Sequence, residues 1–324
     1  MGGILCGVHV MNLDPFNTPP TVQAIFDHYK SQRKDAHRPH LGGSQIGNEC
    51  SRALWYQFRH MDRATFDGRV LRLFETGDRE EDRIVANLRA VGVTVWDRDP
   101  DTGKQIRFTA CSGHFALSLD GVGEGFKESG KPHTLEFKTM NDKNFKALEA
   151  KGCEATKPVY YAQCQIGMHL AELDRCAFIA VNKNTDAIYM ERIKYDPAFA
   201  LQLVAKVDNI IFADKPPAKL RDDPSYFMCK FCDYSQVCHM KKPPEVNCRT
   251  CAHASPERDG VGKWSCAKGK AFGTVCDGHL FNPYAMPWEV HDASPDWVEY
   301  VTEDGEIIRN ENNSAEIAEN WIPF

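Results

Sequence analysis

In the segment His133-Thr134-Leu135-Glu136-Phe137-Lys138-Thr139, the apolar Leu135 and Phe137 alternate with Glu136 and Lys138. On an extended strand successive side chains point to opposite faces, so this segment anchors one pair in a core and sets an acid beside an amine on the other face. Phe115-Ala116-Leu117-Ser118-Leu119-Asp120-Gly121 repeats the pattern. There Phe115, Leu117 and Leu119 face inward, and Asp120 shares the face of Ser118 at the strand end, before a turn that glycine permits. Two carboxylates and a lysine can then converge. Asp120 and Glu136, helped by the backbone carbonyl of Phe137, are the oxygen ligands that hard divalent cations such as Mg²⁺ or Mn²⁺ take. An ion so held polarises a scissile phosphate, neutralises charge growing in the transition state and lowers the pKa of an attacking water. Lys138 either orients or deprotonates that water, or stabilises the charge developing at phosphorus.

The elements that must position these groups are legible in the pattern. Residues 19–36 read as a polar helix, and residues 48–58 as a second helix carrying Cys50, with Ser44 as a candidate cap. Val70, Leu71, Phe74, Ile84, Val85 and Leu88 recur at helical spacing, which predicts two helices or one kinked near Gly77. Strands are predicted at 93–96, 106–111, 114–120 and 135–139, forming a meander with a helix beside it. A helix at 159–173, a hairpin of 177–182 with 187–193 around Asn184-Thr185-Asp186, and a helix at 198–212 follow. The expected class is mixed α/β or α+β, a mixed central sheet flanked by helices.

Asp120-Gly121 followed at strand spacing by Glu136-x-Lys138 resembles the motif of the PD-(D/E)XK nuclease superfamily, whose members hydrolyse phosphodiesters on a mixed sheet flanked by helices. Upstream, Phe74-Glu75-Thr76-Gly77-Asp78-Arg79-Glu80-Glu81 resembles the helix that supplies these enzymes with an additional metal ligand, often a histidine at the place of Asp78. Asp78 and Glu81 lie three apart on one helical face, so either can serve. Downstream, Tyr160-Tyr161-Ala162-Gln163-Cys164-Gln165-Ile166-Gly167 resembles the Gln-x-x-x-Tyr motif of RecB-like exonucleases, in which the glutamine lies near the metal or the DNA. Gln163 matches, while Gly167 replaces the tyrosine and Tyr160 offers a ring from the same face. A mid-helix glycine costs about 1 kcal/mol relative to alanine, so close packing or DNA approach is expected at Gly167. The resemblance implies a restriction-endonuclease-like core and a Mg²⁺- or Mn²⁺-dependent DNA exonuclease serving end resection, recombination or repair, with Asp120, Glu136, Lys138 and Gln163 catalytic. The alternatives are a structure-specific endonuclease and a DNA-binding adaptor with a decayed active site.

Thirteen cysteines in a chain of this length, mostly clustered at short spacings, point to metal ligation rather than disulfides. Cys229-x2-Cys232-x5-Cys238 is one thiol short of a tetrahedral set. With Cys50 upstream, this arrangement resembles the iron-sulfur RecB-like nucleases, including CRISPR-adaptation exonucleases and AddB, across roughly residues 40–240. It implies a 4Fe-4S cluster held by Cys50, Cys229, Cys232 and Cys238, tying the beginning of the domain to its end. Zinc in the same four thiolates is the alternative. A second set, Cys248-x2-Cys251-x14-Cys266-x9-Cys276 with a turn at Asp259-Gly260 and Gly262, reads as a zinc ribbon or knuckle in which His253 or His279 can replace one cysteine. Lys263, Trp264, Lys268 and Lys270 add cations and an aromatic suited to nucleic acid, and Arg52 and Tyr160 are further DNA-binding candidates. Cys111, Cys153, Cys164 and Cys176 read as core fillers.

The domain reading is a nuclease domain over 1–243, a zinc-binding module over 244–285 and an acidic hairpin or tail over 286–324, the first break falling at Pro243-Pro244. The net charge of −6 does not argue against DNA. Residues 287–324 hold ten acidic residues against one arginine, a local −9, which leaves +3 for the rest. This tail can mask a DNA channel, recruit a basic protein partner or stand as a solvated hairpin. No apolar run approaches the roughly 20 residues of a membrane span. The mildly apolar start at residues 3–8 reads as a frayed terminus or first strand rather than a signal peptide. The expected location is cytoplasmic, the host cytoplasm if the chain is phage-encoded.

Overall fold

The computed structural model describes residues 18–32, 37–63, 66–273 and 276–320. The expectations for residues 3–8 and for the last turn of the first helix at 33–36 lie outside them. The elements begin α1 (Pro20–Gln32), β1 (Leu41–Gly42), α2 (Ser51–Arg59), α3 (Gly68–Ala90), β2 (Thr94–Trp96), β3 (Arg107–Ala110), β4 (Phe115–Ser118), β5 (Gly121–Glu124) and β6 (His133–Met140). There follow α4 (Asp142–Thr156), α5 (Pro158–Ala171), β7 (Arg175–Asn182), β8 (Ile188–Lys194), α6 (Pro197–Ile211), α7 (Phe227–Lys230) and α8 (Ser235–His239). The C-terminal part holds β9 (Ala254–Pro256), β10 (Trp264–Cys266), β11 (Glu289–Ala293), β12 (Val298–Val301), β13 (Ile307–Asn310) and α9 (Ser314–Glu319).

The chain divides into two compact units, Met1–Ala36 with Thr65–Arg79, and His37–Ala64 with Glu80–Phe324. In the smaller unit α1 meets the first half of α3. Tyr29 donates a hydrogen bond to Glu75, the rings of Phe66 and Phe74 meet edge-on at 5.2 Å, and Gly68 lies against the Phe26 backbone with no room for a Cβ.

The larger unit is built on a five-stranded sheet ordered β2-β5-β6-β7-β8. All neighbours are antiparallel except β6 and β7, which run parallel. A parallel pair needs a long crossover, and α4 and α5 supply it. Asn141 caps α4 by accepting from the Asn144 amide at 2.9 Å, and Pro158 opens α5 at a position where a missing N–H costs nothing. Strand β7 is covered on both sides. Ala177, Ile179 and Val181 join Leu135, Phe137, Ile84, Val85, Val93 and Val95 in one cluster, while Cys176, Phe178 and Ala180 join Phe145, Leu148, Cys164 and Met168 in another. This double burial explains why residues 176–181 read as a continuous apolar run. The expected class, a mixed sheet flanked by helices, is the observed one.

The predicted meander is not. Strands β3 and β4 leave the main sheet and form a second one, ordered β1-β4-β3. Phe115, Leu117 and Leu119 point into the cluster that also takes Leu54, Trp55 and Phe58 of α2 and Val207, Ile210 and Ile211 of α6. After Asp120 the chain resumes as β5 and enters the main sheet, a strand too short and glycine-rich to stand out in the sequence. Helix α4 was also not expected. Gly77 does not interrupt α3, and Ser44 lies inside a short 3-10 turn, Gly43–Gln45, rather than capping α2, whose N-cap is Cys50.

Beyond Pro243 the chain stays on the same unit. Lys242 bridges both carboxylate oxygens of Asp62 at 2.8 Å, and the Glu245 amide donates to the Met61 carbonyl at 2.9 Å. Trp264 of the β9–β10 hairpin reaches the core of the second sheet. The acidic tail contains the expected hairpin, β12 with β13 around Asp304-Gly305, joined by β11. It has its own small core, since Val298 and Tyr300 pack with Leu280, Phe281, Met286 and Ile317.

Candidate active site

Asp120 occupies the bend where the chain crosses from the second sheet to the main one. The next residue must be small: a Cβ on Gly121 would sit 2.9 Å from the Trp96 carbonyl oxygen and 3.2 Å from Leu135. Gly121 pairs with Leu135 across β5 and β6, and this register places Asp120 beside the middle of β6. The Phe137 amide donates to Asp120 Oδ2 at 2.7 Å. Strand alternation then works as the sequence predicts. Leu135 and Phe137 enter the core on one face, and Glu136 and Lys138 share the other.

Glu136 is 2% exposed, and Lys138 Nζ donates to its carboxylate and, at 3.0 Å, to the Phe137 carbonyl. Burial pushes the Glu136 carboxyl up to about 8, with Asp120 and Glu81 adding repulsion against the opposing pull of Lys138. Asp120 is likewise raised by burial, offset by Lys138 and the Phe137 amide. Burial works against the Lys138 ammonium, but Glu136 and Asp120 together outweigh it and hold its pKa above the ordinary lysine range. Two carboxylates withdrawn from water beside one ammonium form a site short of positive charge. Their donor atoms fit a hard divalent cation.

The remaining expected residues fall into three groups. Tyr160 is brought in, its ring centroid 5.2 Å from Lys138 Nζ and stacked on Phe178. The charge of Glu81 acts on Glu136, whereas Asp78 lies exposed on the part of α3 assigned to the smaller unit. Gln163 is buried on α5, which packs on β6 and β7. Gly167 gives α5 its close approach: a Cβ there would meet Leu119 at 3.2 Å and Leu117 at 3.4 Å. Gln165, not singled out from sequence, bonds the Lys194 carbonyl and the Asp196 amide, both at 2.8 Å, and ties α5 to the end of β8.

Cys50, Cys229, Cys232 and Cys238 share one neighbourhood. The Cys232 thiol feels Cys50 and Cys238, and the Cys238 thiol feels Cys50 and Cys229. Arg52 stands beside Cys238 and is already engaged, by the Pro217 carbonyl at 2.6 Å and the Tyr56 hydroxyl at 3.0 Å. Lys206 holds the loop that carries Cys50, donating to the carbonyls of Ile46 at 2.9 Å and Asn48 at 2.6 Å. No sequence signal marked that lysine, since a lysine two residues from Asp208 on a mostly apolar helix reads as a solvated position. Cys248, Cys251, Cys266 and Cys276 line one recess together with His253 and His279. Lys263 is exposed, and Lys268 is paired with Asp296 ahead of β12. None of the described cysteines is in a disulfide. As the side chains stand, no group of three or more His, Cys, Asp or Glu among the described residues is closed around a metal-sized space.

No protein-family model matches the chain, and no curated protein sequence does. Solved structures do match. The alkaline exonuclease LHK-Exo from Laribacter hongkongensis aligns at 15% identity with a TM-score of 0.39, over 57% of this chain and 90% of that one. Its complex with dAMP aligns at 15% identity and a TM-score of 0.37, over 53% and 86%. The structure of SSO0001 aligns at 13% identity and a TM-score of 0.38, over 66% and 92%.

Proposed function

We propose that the chain is a Mg²⁺- or Mn²⁺-dependent deoxyribonuclease of the PD-(D/E)XK kind that degrades DNA from its ends. The observation that carries this reading is the meeting of Asp120, Glu136, the Phe137 carbonyl and Lys138 at the junction of two sheets. Asp120 and Glu136 with the Phe137 carbonyl would hold the ion, and Glu81 is the candidate for a further ligand because its charge reaches Glu136. When bound, the ion supplies Lewis-acid polarisation of the phosphate and a more acidic water. The chain's own groups do the positioning. Releasing its bond to the Phe137 carbonyl frees the Lys138 ammonium to donate to a phosphate oxygen or an attacking water, and the Tyr160 ring fixes its direction. The Phe137 amide fixes one oxygen of Asp120 and leaves the other for ligation.

The first cysteine set reads as the seat of a 4Fe-4S cluster. Its support is the convergence of four thiols beside the cations of Arg52 and Lys206, which offset thiolate charge. The second set reads as a zinc site. None of the described helices is long and apolar enough to cross a membrane. The test uses anaerobically purified full-length protein with linear and covalently closed circular DNA, with Mg²⁺ or Mn²⁺ and with chelator. Metal-dependent loss of linear DNA with the circle left intact is the expected result. Cleavage of the circle would replace the exonuclease with an endonuclease. Binding without hydrolysis under either metal would leave only the DNA-binding adaptor.

A further inference from the structure

Two histidines line the recess of the second cysteine set, and His279 is the buried one. Cys248 and Cys251 stand at the two ends of a short turn that Asn247 caps, accepting from the Arg249 amide at 2.9 Å. Cys266 closes β10, opposite Ala254. The Cys248 sulfur accepts from the Gly273 amide at 3.3 Å. The Cys251 sulfur accepts from the amides of Leu280 and His253 and lies within electrostatic reach of Cys266 and Cys248.

His279 is 5% exposed, and its ring is delivered by a tight turn in which its own amide donates to the Cys276 carbonyl at 3.0 Å. Its Nε2 lies 3.0 Å from the Asn247 carbonyl oxygen, which can only accept. Thr250 Oγ1, 3.4 Å from the same nitrogen, gives its own proton to the Glu245 carbonyl at 2.6 Å. Nε2 must therefore carry the ring hydrogen. With the ring hydrogen on Nε2, Nδ1 presents its lone pair. That atom is buried and has no hydrogen-bond partner. An orphaned buried acceptor destabilises the fold, and a cation held by the neighbouring thiols removes that cost. A ring with one nitrogen fixed by a backbone carbonyl and the other open is the usual preparation of a metal-binding histidine.

We propose that His279 Nδ1 completes a zinc site with the thiolates of Cys248, Cys251 and Cys266, and that Cys276 serves the turn and not the metal. The inference rests on the zinc reading of this segment and names its donors. Tetrahedral zinc takes four ligands, and these four fill it. His253 is set apart by its half-exposed position and its proximity to Lys268 and Asp296.

Cadmium-substituted full-length protein, followed by cadmium NMR, separates the possibilities. The second-set resonance is expected at the position of three sulfurs and one nitrogen, coupled to the ring protons of a single histidine. Cys276→Ser leaves it in place, and His279→Cys moves it to the four-sulfur position. His279→Ala loses zinc from the second set while the first set keeps its metal. A four-sulfur resonance in the wild type that is lost in Cys276→Ser and unmoved in His279→Cys overturns the proposal while sparing the zinc reading. Absence of any second-set resonance, with no zinc in the purified protein, overturns both.

Discussion

Lys138 Nζ is bonded to the Glu136 carboxylate two residues before it on the same strand face, and the same Nζ reaches the Phe137 carbonyl at 3.0 Å. The ammonium thus holds two of the three oxygen donors assigned to the divalent ion. It keeps the buried carboxylate tolerable in the absence of other cations, and it would have to release those oxygens to the proposed ion. Removing the lysine leaves Glu136 buried without a cation beside it. Lys138→Ala is therefore expected to lower metal-free stability as well as activity, whereas Lys138→Met with Glu136→Gln together restores stability and not activity. Chemical denaturation of the single and double variants measures this.

The histidines near residue 40 set an acid limit on folding. Burial, reinforced by Arg249, holds His60 down to about 3, and burial with Arg107 holds His40 down to about 4. The unfolded chain protonates such residues near 6.5, so between that value and the folded ones it binds more protons than the native chain. This contribution is full above 6.5 and is lost as pH falls through the folded values. Thermal melts from neutral pH to about pH 4 should show a falling midpoint, and His60→Asn should flatten the slope. An unchanged slope in that variant would remove His60 from the account.

Gly167 fills a steric role. Its place against Leu117 and Leu119 explains why the position cannot carry the tyrosine of the motif it resembles. Gly167→Ala gains helix propensity of about 1 kcal/mol and forces Leu119 to give by a few tenths of an ångström, so a change near zero is expected. Gly167→Tyr should destabilise by about 1–3 kcal/mol or more. Denaturation midpoints with unchanged slopes would establish the contrast.

The C-terminal segment and the core of the second sheet are joined by Trp264 and Arg249. Arg249 donates to the carbonyls of Phe58 at 2.8 Å and Pro39 at 2.6 Å, and its guanidinium lies 4.9 Å from the Trp264 ring centroid. Trp264→Ala should cost about 3–5 kcal/mol and unfold segment and core in one transition. Two separate transitions in the wild-type melt would contradict this coupling.

Much of the site was legible in the sequence because it depends on local rules. Alternation in residues 133–139 identifies Glu136 and Lys138 as partners, and the apolar run before Asp120 places that residue at a strand end. What the sequence did not reveal depends on distant partners. Nothing local marks β5 as a strand, since Gly121 and Gly123 gain their place only from the backbone of β2 and the side chains of Leu135 and Phe126. The exit of β3 and β4 into a second sheet is dictated by α2 and α6, far away in sequence. The tautomer of His279 depends on Asn247, 32 residues earlier. The convergence of the first four cysteines was suggested by resemblance rather than by spacing.

Asp120, Glu136 and Lys138 are proposed as a metal-dependent phosphodiesterase centre. Its most direct test is the hydrolysis rate of end-labelled DNA in Mg²⁺ or Mn²⁺ for wild type, Asp120→Asn, Glu136→Gln and Lys138→Ala, with folding checked by circular dichroism. Wild-type cleavage that stops with chelator and falls by at least about 10²-fold in each folded variant is the predicted result. Cleavage at the wild-type rate in Glu136→Gln and Lys138→Ala would contradict it.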